Sequence, residues 1–131
     1  MTRTSLFVTL VAVLYLGLGV VILFLPQSVS ASVAGIAIAS LSAQLYGAAV
    51  LGLGLANWIA RRSPLGGIYG RALVTGNFTH AGAATLVLLR PTIASGSPKL
   101  WTALVVALVL AIGFGWLLFV SDGIGEAVQS E

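Results

Sequence analysis

Four apolar runs, each about as long as a bilayer is thick, leave this chain few ways to fold. They cover residues of about 5–25, 41–60, 66–89 and 98–120 of 131, and a helical span needs about 20 such residues. The runs are separated by short stretches where arginine, proline, serine and glycine collect. Charged residues make up only 7% of the chain, against roughly a quarter in a water-soluble domain. A chain so poor in charge cannot clothe a soluble core. The reading is therefore an all-α integral membrane protein, a four-transmembrane-helix bundle forming one membrane domain, with a polar tail over 121–131.

The boundaries follow from local chemistry. The first run ends at Pro26, and Val29-Ser30-Ala31 resembles a signal-peptidase site. An apolar stretch of about 20 residues is nevertheless longer than the ~7–15 of a secretory signal, so the run is expected to remain as a first span. Gln27–Ser40 carries no charge; Val29, Val33 and Ile36 suit one face of an interfacial helix, and a plain loop suits the stretch equally. Trp58 and Arg61-Arg62 close the second run at headgroup level. Ser63-Pro64 and Ser97-Pro98 each read as an N-cap followed by proline at the first helical position. The third helix is expected to begin between Pro64 and Tyr69 and to stop sharply at Arg90-Pro91.

Loop charges set the orientation. Arg3, Arg61, Arg62 and Arg71 fall on one side and Arg90 and Lys99 on the other. The positive-inside rule then places both termini in the cytoplasm. These dispersed cations form no clustered basic face, so nucleic acid is not an expected partner. Membrane lipids are, together with a second copy of the chain or another membrane protein.

Helices in lipid associate through close packing and hydrogen bonds, because lipid tails leave little hydrophobic force between them. Small residues at every fourth position mark stripes where backbones can approach. Such stripes run through Gln44, Ala48, Gly52 and Ala56, through Ala72, Gly76, His80 and Ala84, and through Ala103, Ala107, Ala111 and Gly115. A weaker one runs through Ala12, Tyr15 and Gly19.

The third run is the polar one. His80 lies about 14 Å deeper than Arg71 along a helix, and Asn77, three residues earlier, shares its face. Gln44, Tyr46 and Asn57 of the second helix and Tyr15 of the first are candidates to join them. Two readings stand. In one, His80 and Asn77 line a ligand or proton path, with Arg71 at its cytoplasmic mouth. In the other, a neutral His80 makes one interhelical hydrogen bond and fixes packing.

Missing residues narrow the chemistry further. The chain has no cysteine, and Asp122, Glu126 and Glu131 all follow the last apolar run. An antiporter of the small multidrug type relies on a carboxylate within the membrane, which this chain lacks. One histidine cannot ligate haem from both sides within one chain, and no cluster of ligands for a metal is evident. No nucleophile, base and acid form a set. A non-enzymatic role without cofactors is expected.

The order of features resembles small uncharacterised four-helix proteins of the bacterial inner membrane. The matching residues are Phe24-Leu25-Pro26, Tyr46-Gly47, Leu51-Gly52-Leu53-Gly54 and Arg61-Arg62. The resemblance covers the first half of the chain. It implies a bacterial cytoplasmic membrane and a four-helix fold, and it carries over no catalytic residue.

Overall fold

The computed structural model describes residues 3–28, 40–62 and 68–119. Among these the structure is helical, without a strand. Among the described residues four long helices stand out in chain order: α1, Arg3–Phe24; α2, Ser40–Ala60; α3, Ile68–Ser95; and α4, Pro98–Phe119. All four are long and apolar enough to cross a membrane. At 1.5 Å per residue, α1, α2 and α4 measure about 32–33 Å and α3 about 42 Å. Most of the 27–40 segment, read as interfacial helix or loop, lies outside the described residues, as does the 121–131 tail.

The helices pair into two compact units, one within residues 1–63 and one within 64–131. In the first, α1 and α2 pack against each other. Val8, Val11, Ala12, Tyr15 and Gly19 are the buried residues of α1. Their spacing of three and four is that of one helix face. From α2 come Gly47, Val50, Gly54 and Asn57, in the same spacing.

Glycine determines how closely this pair approaches. A Cβ on Gly19 would stand 2.6 Å from the backbone nitrogen of Leu51 and 2.7 Å from its Cα. In return, a Cβ on Gly47 would stand 2.7 Å from the Leu23 nitrogen, and one on Gly54 2.8 Å from the Leu16 nitrogen. The glycines of each helix thus meet the main chain of the other. The paired residue numbers (19 with 51, 47 with 23, 54 with 16) add to 70 in all three cases, which defines an antiparallel register held over two turns and more.

In the second unit α3 packs against α4. Gly70, Val74, Asn77, Ala81 and Thr92 are buried on α3, facing a buried row on α4 that includes Leu100, Leu104, Ala107, Leu110 and Phe114. The Phe78 ring reaches within 3.1 Å of where a Gly115 Cβ would be and meets Phe119 edge-on, with centroids 6.0 Å apart.

Three expectations are corrected here. The third helix does not stop at Arg90-Pro91 but continues to Ser95 with Pro91 inside it. Its end is made by Gly96, whose φ of 63° and bond to the Thr92 carbonyl at 3.0 Å form the left-handed cap that glycine adopts without steric cost. The stripes read on the second and third helices are also out of phase. Gln44, Ala48 and Gly52 are exposed on α2, and Ala72 and Gly76 on α3. The buried faces run one or two residues away, because contact with the hairpin partner selects among small residues that occur on every side. On α1, and at Ala107 and Ala111 of α4, the small residues are buried as read. Ser97-Pro98 opens α4 as expected, with the Ser97 carbonyl accepting from Trp101 N–H at 3.0 Å.

Candidate polar site

The polar residues singled out in the sequence divide between the hairpins. Gln44, Tyr46 and Asn57 belong to α2, and Arg71, Asn77 and His80 to α3. Gln44, Tyr46 and Arg71 are exposed, His80 is half-buried, and Asn57 and Asn77 are completely buried. Asn57 continues the α2 face of Gly47, Val50 and Gly54 and so belongs to the interface with α1. Tyr15 is buried on α1.

Asn77 is anchored to its own helix. Its Nδ2 donates to the Leu73 carbonyl at 2.9 Å, four residues back. Thr9 donates to Ser5, Thr85 to Ala81 and Thr102 to Pro98 in the same manner, at 2.7–2.9 Å. A polar side chain bent onto the preceding turn meets its hydrogen-bonding need without leaving its helix. That is how apolar surroundings tolerate it. Among the described residues, no buried side-chain nitrogen or oxygen lacks a partner.

Sequence reasoning missed Thr92, which lies past the helix stop expected at Arg90-Pro91. The side chain is fully buried, and its Oγ1 donates to the Leu100 carbonyl of α4 through a long bond of 3.5 Å. The missed signal was Ser95-Gly96, a serine and glycine pair past the proline that marks a later helix end.

His80 sits where the two faces of α3 meet. Asn77 and Ala81 beside it are buried, whereas Gly76, Thr79 and Ala83 are exposed. Nothing lies within 4 Å of where a Gly76 side chain would begin. Arg71, two and a half turns earlier, is exposed on the same helix. Among the described residues no group of three His, Cys, Asp or Glu side chains is placed to hold a metal ion.

At the end of α2 a second polar arrangement forms. The Arg61 guanidinium lies over the Trp58 indole, 3.7 Å from the ring centroid, and its Nη1 donates to the Trp58 carbonyl. The contact serves one of the carbonyls that a helix end leaves without an intrahelical partner. Comparison with protein-family models, curated proteins and solved structures returns no match.

Proposed function

We propose that the chain is an integral membrane protein of four spans, with both termini in the cytoplasm, acting without enzymatic chemistry as an accessory or structural component. Its contacts would be membrane lipids and either a second copy or another membrane protein. The membrane reading draws on the outward faces. Leu10 is 62% exposed, Ile59 77%, Leu86 73% and Ile112 63%, so apolar side chains cover the outside of every helix as well as the inside. In water such continuous patches drive association, whereas in lipid they are simply solvated. The orientation rests on Arg3, Arg61, Arg62 and Arg71 against Arg90 and Lys99. The resemblance of the first half adds a bacterial cytoplasmic membrane.

The observation that carries the structural role is the closure of polar groups within the hairpins. Asn77 bonds back to Leu73 on its own helix and Thr92 bonds across to Leu100 of α4, so both side chains are already occupied within the hairpin. A second reading is favoured by the open space at Gly76 beside half-buried His80. In it the protein binds or transports a small molecule or lipid, with Asn77 and His80 in the site and Arg71 at its mouth.

His80→Leu separates the two. For a packing role the variant is expected to lose about 0.6 kcal/mol, the average for an interhelical hydrogen bond in membranes, read from the unfolding midpoint in detergent. Any rise in midpoint produced by added phospholipids would then survive the substitution. A variant that keeps its midpoint but no longer responds to those lipids would favour binding and sink the structural reading.

A further inference from the structure

We propose that Arg61, stacked on Trp58 at the end of α2 and followed by Arg62, binds the phosphate of an anionic membrane lipid. The proposal rests on the membrane reading above. The indole covers one face of the guanidinium, and the Trp58 carbonyl engages Nη1. Stacking occupies a face and the carbonyl takes Nη1, which leaves the edge formed by Nε and Nη2, and such an edge is where a guanidinium pairs with two phosphate oxygens at once. Held at both ring and carbonyl, the side chain loses little further freedom on binding, which is what preorganisation contributes to affinity. Arg62 next to it is exposed.

The charge balance points the same way. No Asp or Glu occurs between residues 1 and 121, so the described chain holds no carboxylate to neutralise this pair. Trp58 is 40% exposed, and tryptophan at the end of a span sits at headgroup depth. Phosphate diesters are the abundant anions there.

The full-length protein would be reconstituted in bilayers of phosphatidylglycerol and phosphatidylcholine, extracted gently, and weighed intact to count retained lipids. The wild type is expected to retain phosphatidylglycerol in preference. Arg61→Gln should lower that preference about tenfold, the scale of one charge-assisted hydrogen bond. Arg61→Lys should not rescue it, because an ammonium offers no planar fork. Trp58→Leu should weaken it partially, and Arg90→Gln should leave it intact. Equal losses in Arg61→Gln and Arg90→Gln would overturn the proposal by reducing the site to net charge. Displacement of the lipid by excess inorganic phosphate would overturn the lipid assignment. A wild type without preference that gains one on Asp122→Asn, Glu126→Gln and Glu131→Gln together would make the acidic tail the occupant, again against the proposal. An alkaline wash of membranes separates the two levels. A chain that washes off fails the membrane reading, whereas one that stays but shows no lipid preference fails this proposal alone.

Discussion

Gly19→Ala is expected to destabilise the α1–α2 hairpin, although alanine is the better helix former by about 1 kcal/mol. The new Cβ would stand 2.6 Å from the Leu51 nitrogen and 2.7 Å from its Cα. Both are main-chain atoms, so no rotamer change relieves the overlap and the helices must separate. Overpacking of this kind costs about 1–3 kcal/mol. Separation also loosens the reciprocal contacts at Gly47 and Gly54, since all three lie in one register. A net loss of about 2 kcal/mol is the expected outcome, read from unfolding in mixed detergent micelles. Gly17→Ala supplies the control from two residues away. Nothing lies within 4 Å of its would-be side chain, so that substitution should raise stability by up to about 1 kcal/mol. Opposite signs at positions 17 and 19 are the signature. Midpoints that rise for both would mean that the backbones do not meet at Gly19. Gly19→Ala combined with Gly54→Ala should cost less than the two separately, because the first already opens the space that the second needs.

That contrast also shows where the sequence was legible. The four helices could be read from apolar length alone, since length and hydrophobicity do not depend on which face is turned where. The faces were harder. A soluble helix advertises its buried side by contrast with a polar one, but here Leu41 and Leu45 outside α2 are as apolar as Val50 within it. Only the small residues remained as a guide, and α2 carries them on more than one side: Gly47 and Gly54 face α1, whereas Ala48 and Gly52 are exposed. A spacing of exactly four, followed through Gln44, Ala48, Gly52 and Ala56, drifts around a helix of 3.6 residues per turn. On α1 the mixed spacing of Ala12, Tyr15 and Gly19 tracks the true period, and all three are buried.

For the polar residues, the sequence identified the types and their helices correctly but not their surroundings. Asn57 and Asn77 were both singled out, and both are fully buried. Their burial comes from hairpin partners far away in sequence, which no local pattern encodes. Gln44 and Tyr46, two residues apart, were grouped with them because they are polar in an apolar run. Both are exposed. His80 stands between these cases: its place at the middle of α3 was readable by counting, and its position on the border of the buried face was not.

Pro91→Ala should stabilise the protein, by as much as about 3 kcal/mol, the difference between the two residues inside a helix. Proline cannot donate to the Val87 carbonyl, and its ring crowds that same oxygen. Yet α3 continues through it to Ser95, because the four residues that follow gain more than they lose. Thr92 is buried and bonds to Leu100 across the hairpin, and Gly96 closes the helix with a left-handed turn. Pro91 itself is exposed, so replacing it removes no core contact. Gly96→Ala should act in the opposite direction, costing about 1–2 kcal/mol for a side chain at positive φ. Unfolding midpoints of the two variants, measured side by side, test whether the helix end is where the structure puts it. A true stop at Pro91 would leave Gly96→Ala almost neutral. Loss of stability in Pro91→Ala would instead mean that the geometry imposed by the proline ring aligns Thr92 with Leu100, and Thr92→Val should then erase the difference between proline and alanine at this position.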